Sequence, residues 1–341
     1  MLRARGWMPR PPASLDALVE RIRTYPGVTR KRRIGAFTSH FPVMPGAEVV
    51  AAFGEDCAVL ALEGLREEYA LLALDAIVPD LLKRAPRFAG YSSVLVNVLD
   101  IAAMAGRPVA IVDFVGSVGE KFEEEVAQGM AEGVAHFQVP LVGGHLNPDD
   151  PSPSLAVAIL GRVPKKDCLF SHTARAGDDL LVAVDLDGRR IKEYPMAWSS
   201  LRGKPRVEVL RRFVGIRKAA SRGLIHSSKD ASNPGIIGTL GMMLEVSGVG
   251  GTVELNRIPR PKGIALEDWI LMYQGCGFVL SASATDTPEL TELLGEYGLT
   301  CASVGQVRSA RRLDLERGNS SATVFDFTRG GVTGLPPASP S

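Results

Sequence analysis

Apolar and polar positions along the chain follow two periods, and the changes between them mark the elements. Leu15, Leu18, Val19 and Ile22 recur at helical spacing. They predict an amphipathic helix over residues 14–25, capped by Ser14 or Asp16. A Pro-rich stretch precedes this helix, and a basic run from Arg30 to Arg33 and a Gly/Pro loop follow it. From about residue 48 strands and helices alternate. Strands are expected at 48–53, 58–62, 69–78, 109–115, 140–143 and 154–163, and helices at 92–105 and 121–137. A cluster of Pro, Lys, Asp and Gly at 164–176 marks a boundary. Beyond it, strands are expected at 179–184, 251–255, 279–284 and 302–307, with helices at 206–222, 235–247 and 287–297. The pattern predicts an α/β chain with an N-terminal segment (1–34), two domains (35–163 and 176–310) and a tail (311–341). The Gly/Pro/Ser-rich end from Gly330 is expected to be disordered. No short internal repeat is present.

Composition narrows the function. The 341 residues are 45% hydrophobic and 23% charged, enough to bury a sizeable core. Lysine and arginine (39) balance aspartate and glutamate (38), so the net charge is +1. That balance argues against a nucleic-acid or anionic-membrane partner. The four cysteines are scattered without a CxxC pair, which gives neither a disulfide framework nor a zinc site. No signal peptide and no long uncharged apolar run is found, so a cytoplasmic protein is expected.

Several segments place polar residues where apolar ones dominate. Gly54-Glu55-Asp56 forms an acidic turn between two short strands. Asp75 interrupts the apolar run Leu71–Val78; it is either a paired or metal-bound carboxylate or an exposed residue at the strand end. Ser93, Asn97 and Asp100 share one face of an otherwise apolar helix. In Val142–Asp150 a strand runs into Gly143 and Gly144, then a polar loop offering His145, Asn147 and Asp149. Ser228–Gly235 leads into a helix, where Ser232 or Asn233 serves as a cap or the turn receives an anion. Asp56, Asp75 and Asp100, if they converge, make an all-oxygen site suited to Mg²⁺ or Mn²⁺, ions that bridge nucleotide phosphates. No GxxxxGK[ST], GxGxxG or GxSxG sequence is present, so a P-loop, a dinucleotide fold and a hydrolase elbow are unsupported.

The order of these segments resembles the aminoimidazole ribonucleotide synthetase (PurM)-like superfamily. The resemblance runs through Gly54–Val59, Asp75, Asn97–Ala105, Gly143-Gly144-His145 and Lys229–Asn233, over roughly residues 35–310. It looks most like the AIR synthase-related proteins. It implies an ATP-dependent α/β (α+β) fold of two domains, the N-terminal one forming a dimeric β-barrel interface. It further implies ATP and Mg²⁺ (or Mn²⁺) as cofactors, and phosphoryl transfer to a small-molecule substrate. By motif match, Asp56, Asp75 and Asp100 would hold metal. Gly54, Asn97, Gly143, Gly144, His145 and Asn147 would bind nucleotide, and His145 and Asp230 would be catalytic. A homodimer is implied. The acceptor is unassigned: Asn233 stands where the superfamily has a second Asp, and Gln274–Phe278 lacks the acids of thiamine-monophosphate kinase. The alternative is a non-catalytic nucleotide-binding subunit of a partner enzyme.

Overall fold

The computed structural model describes residues 14–41, 48–148 and 150–338. Asp149, the Pro-rich start and most of the Gly/Pro loop lie outside them. The chain opens with an arm of short helices: α1 (Leu15–Thr24), α2 (Pro26–Thr29), a 3-10 turn Arg30–Arg33 and α3 (Ile34–Thr38). Ser14 Oγ accepts a hydrogen bond from the Ala17 N–H and so caps α1.

The first domain carries β1 (Val49–Ala51), β2 (Ala58–Leu60), β3 (Glu68–Ala76), β4 (Arg107–Gly116), β5 (Leu141–Asn147) and β6 (Ser154–Pro164). Its helices are α4 (Pro79–Arg84), α5 (Pro86–Ala103) and α6 (Glu120–Phe137). The strand order is β1-β2-β3-β6-β4-β5, antiparallel except between β4 and β5. In β3, Leu71 and Ala73 face inward while Leu72 and Leu74 are exposed. Val112 and Phe114 on β4 and Leu160 on β6 share that outer face. Helix α5 covers the inner face. It is buried on nearly all sides because its second half carries a single charge, Asp100. It starts at Pro86, earlier than expected, since proline fits the first helical position.

The second domain holds β7 (Asp179–Val184), the short pair β8 (Arg189–Arg190) and β9 (Trp198–Ser199), β10 (Ser227–Asp230), β11 (Gly250–Glu254), β12 (Gly277–Ala282), β13 (Thr300–Arg308), β14 (Arg312–Arg317) and β15 (Ser320–Asp326). Helices α7 (Arg206–Ser221), α8 (Gly235–Val246), α9 (Leu266–Trp269) and α10 (Thr287–Glu296) accompany them. The large sheet runs β10-β12-β7-β13-β11-β14-β15.

Two expectations are corrected. Residues 311–326 are not tail: Leu313 and Leu315 alternate with polar residues, and β14 and β15 complete the second sheet. The segment from Gly330 is ordered through Ala338, because it has a polar anchor. The Glu245 carboxylate, buried in α8, accepts hydrogen bonds from the Thr333 N–H (2.8 Å), the Thr333 hydroxyl (2.7 Å) and the Gly334 N–H (3.0 Å). Val332 and Leu335 are buried beside it. This C-terminal strap meets the arm, where the Gly35 N–H donates to the Thr333 carbonyl (2.9 Å). The arm docks on the second domain. Leu18, Val19 and Ile22 are buried there, each contributing about 1.5–3 kcal/mol. Arg21 pairs with Asp268 at 2.8 Å. Among the described residues no helix is long and apolar enough to cross a membrane.

Candidate functional site

A cavity of about 460 Å³ lies between the two sheets, closed on one side by the arm and the strap. Four aspartates line it. Asp56 follows the Gly54 turn, Asp75 stands on β3, Asp100 on α5 and Asp230 at the end of β10. Asp75 takes the inward register of Leu71 and Ala73, which aims it at α5 rather than at solvent. Asp56, Asp100 and Asp230 each offer an oxygen within 4.8 Å of the others. Asp75 lines the same cavity outside that trio. Asp230 therefore joins the cluster of acids, a place the sequence alone did not give it.

Lys229 holds this arrangement together. Its ammonium group is buried and donates to Asp56 Oδ1 and to the Gly54 carbonyl (3.3 Å). The next residue's backbone N–H, on Asp230, donates to Asp56 Oδ2 at 3.0 Å. Burial by itself favours neutral Lys229, but the Asp56 carboxylate more than offsets it and holds Lys229 above the ordinary lysine range. Asp100 and Asp230 have no such partner. Burial first, then the neighbouring carboxylates, push both well above the usual aspartate range, and burial also raises Asp75. Glu55 also lines the cavity, but its carboxylate is engaged beyond it. It accepts a hydrogen bond from the Ser171 N–H (2.6 Å) and sits 2.5 Å from His172 Nδ1, where the hydrogen bond raises the His172 pKa. It thus ties the cavity lining to the interdomain connection.

The lining favours a cation. Four cavity carboxyls crowd beside two lysines, Lys229 and Lys31, and burial raises all four above the usual aspartate range, the behaviour of an acid cluster whose ionised form needs a counter-ion. A set of carboxylate oxygens suits a hard cation such as Mg²⁺ or Mn²⁺, and no thiol or imidazole competes in the trio. Lys31 comes from the basic run of the arm, and its side chain makes no hydrogen bond or ion pair among the described residues.

The other residues singled out from the sequence divide between this cavity and places away from it. Gly54 lines it with φ of +104°, and a Cβ there would stand 2.8 Å from Val246 Cγ1. Asn97 is buried one turn before Asp100 and donates to the Ser93 carbonyl at 2.9 Å, and its Oδ1 has no partner among the described residues. Gly143, Gly144, His145 and Asn147 form no loop: they belong to edge strand β5. The glycines and His145 line a second cavity, against α6, and His145 stacks on Phe114 with a 9° interplanar angle. Period-2 pairing with β4 accounts for this, with Asp113 opposite Gly144 and Phe114 opposite His145. The cap expected from Ser232 or Asn233 is not made. Pro234 takes the N-cap position of α8, and Ser232 lines the acid cavity. The basic helix α7 is also remote; its Arg212 is buried against Asp185 at 2.7 Å. Lys229 and Lys31 were the residues missed. A lysine beside an aspartate in a four-residue strand buried throughout, Ser227–Asp230, was the available signal for the first.

Comparison with known proteins bears on the family and the fold. A family model described as AIR synthase related protein, N-terminal domain, matches residues 54–163, and its C-terminal-domain counterpart matches residues 179–318. An uncharacterized protein of Methanocaldococcus jannaschii is 36% identical over 325 residues, covering 94% of this chain and 99% of that one. A thiamine-monophosphate kinase of Haemophilus influenzae is 26% identical over 241 residues, 63% of this chain and 68% of the kinase. Thermotoga maritima PurL complexed with ATP superposes with a TM-score of 0.69 at 15% identity, over 86% of this chain and 48% of that one. The chain thus spans about half the length of that solved structure.

Proposed function

The chain belongs to the AIR synthase related protein family, a PurM-like family with ATP-using relatives, and on that premise we propose that it transfers a phosphoryl group from ATP to a small-molecule acceptor. The observation that carries the reading is the carboxylate trio, one oxygen of each acid within 4.8 Å of the others, in a cavity that Lys31 and Lys229 also line. Asp56, Asp100 and Asp230 would hold Mg²⁺, which when bound neutralises charge on the phosphates. Lys229 fixes Asp56 in place by a hydrogen bond and offsets part of the burial that raises the Asp56 carboxyl above the usual aspartate range. Lys31, free at the arm side of the cavity, offers a cation to a phosphate oxygen. Asp75 lines the same cavity from β3, where Lys31 is the neighbouring charge that most favours its ionised form, and it would meet an acceptor that enters. His145 has no part as a base, since it faces away on β5.

Asn233 is not among the residues lining the cavity. Its lost acid therefore leaves the cation ligands intact, which favours an enzyme over an accessory subunit. The outer face of the first sheet, with Leu72, Leu74, Val112, Phe114 and Leu160 exposed, supports pairing with a second copy of the chain.

The test is calorimetric titration of the intact protein with a non-hydrolysable ATP analogue, with and without Mg²⁺, beside Asp56→Asn and Asp100→Asn. Binding that needs Mg²⁺ and is lost in both variants is expected. Binding without Mg²⁺, or binding kept in both variants, sinks the cation assignment. Binding without turnover of any acceptor would return the accessory reading.

A further inference from the structure

A second concave surface carries the opposite charge. A groove of about 600 Å³ lies where the arm crosses the last hairpin, and its lining includes Arg23, Arg32, Arg312 and Arg329 but one acid, Asp326. Asp326 is committed to its own turn, accepting hydrogen bonds from the Thr328 N–H (3.0 Å) and hydroxyl (2.6 Å). Arg23 is anchored by Nε to the Val324 carbonyl (2.8 Å) and by Nη2 to the Thr323 carbonyl (2.9 Å). Arg32 donates to the Arg23 carbonyl at 2.7 Å, and Arg312 and Arg329 each contact one carboxylate through Nε. A guanidinium has five N–H donors. These bonds use one or two on each, so most donors of four clustered guanidiniums are unengaged among the described residues. The lining carries an excess of three positive charges.

The groove and the acid cavity are two sides of the same two segments. Lys31 lines the cavity and its neighbour Arg32 lines the groove; Thr333 lines the cavity and Gly331 lines the groove. Gly331 also lies against Glu245, which anchors the strap: a Cβ there would stand 1.9 Å from Glu245 Oε1. Arm and strap both lie outside the two stretches matched by the family.

We propose that this arginine groove binds a small polyanion with two or more adjacent phosphates, and that its occupancy secures the arm and strap over the acid cavity. Planar guanidiniums match phosphate oxygens in pairs, and several together require a ligand whose charge is similarly concentrated. The proposal is independent of what the acid cavity binds.

Pyrophosphate, tripolyphosphate and ADP are titrated calorimetrically into the full chain in EDTA. Saturable binding is expected, weakened at least tenfold by Arg312→Ser combined with Arg329→Ser, and kept in Asp56→Asn. Both arginines are exposed, so the unliganded melting temperature is expected to hold; Arg32→Ser, also exposed, is the second variant. Tighter binding of ADP than of pyrophosphate assigns a nucleotide; equal binding assigns the phosphate chain alone. Hydrogen exchange in residues 14–38 and 331–338 should slow with ligand. Three outcomes overturn the proposal: no saturable binding, loss in Asp56→Asn but not in the arginine variants, or equal loss in an Arg206→Ser, Arg222→Ser control. Unchanged exchange overturns the coupling.

Discussion

Lys229 donates a buried hydrogen bond to Asp56 across the domain boundary, joining the end of the second sheet to the turn that opens the first. A pair so placed does two things: it ties the domains together and fixes one member of a carboxylate cluster. Removing one partner leaves the other charge buried. Lys229→Met is therefore expected to cost about 3–5 kcal/mol in a urea melt. The double variant with Asp56→Asn should cost clearly less than the sum of the two single variants. Additive costs would show that the pair is not coupled.

Crowded carboxylates give a prediction with an unusual sign. In EDTA, Asp100→Asn removes a buried acid that is costly to ionise and should leave the melting temperature at neutral pH unchanged or raise it. In the same variant, the rise in melting temperature on adding Mg²⁺ should vanish. An Asp100→Asn protein that melts lower in EDTA and still responds to Mg²⁺ contradicts the arrangement.

The pH dependence follows from the same groups. Asp100 and Asp230 hold their protons in the folded state more tightly than in the unfolded chain. From the ordinary aspartate value of 3.8 upward, the folded state then binds more protons than the unfolded state. Their contribution is present in full below that value and is lost as pH rises through the raised folded values. Metal-free protein should gain stability relative to Asp100→Asn as pH falls from 7 towards 5. Mg²⁺ affinity should change the opposite way, rising with pH as ligands deprotonate. Melting curves and titrations at three pH values check both.

Gly54 stands where no side chain fits. Its φ of +104° and the 2.8 Å approach to Val246 predict that Gly54→Ala costs roughly 1–3 kcal/mol and disturbs the Asp56 turn. Gly64, also at positive φ but with open space around it, is the control for backbone strain alone.

The exposed sheet face predicts an assembly. Leu74 is 66% exposed and Phe114 37% exposed. Leu74→Asp should leave the melting behaviour of the subunit intact but shift sedimentation from dimer to monomer. A wild-type chain that sediments as a monomer at all concentrations removes the interface.

Much of the fold was legible because period and composition agreed. Strand β7 and helices α6, α7, α8 and α10 lie within a residue or two of the spans expected from hydrophobic spacing. Asp75 and Asp100 stood out because each interrupts an apolar setting, Asp56 because it closes an acidic turn between strands, and all three line one cavity. Two other segments misled. Gly143-Gly144-His145 reads as a loop because glycine and a polar side chain signal a turn, whereas pairing with β4 extends the strand through them. The final residues read as disordered because the Glu245 anchor, some 90 residues earlier, is a tertiary partner that local composition cannot reveal. The cationic partners depended on the same long-range geometry: Lys229 meets Asp56 from 173 positions away.

The cavity's lining begins at Lys31 and ends at Leu335. Nearly the whole chain must therefore be synthesised before that wall is complete. A nascent chain halted before Thr333 already carries all four aspartates but lacks the strap, and it leaves the Glu245 carboxylate without its three donors. Completing that wall thus brings together segments from opposite ends of the sequence, a contact of long sequence separation.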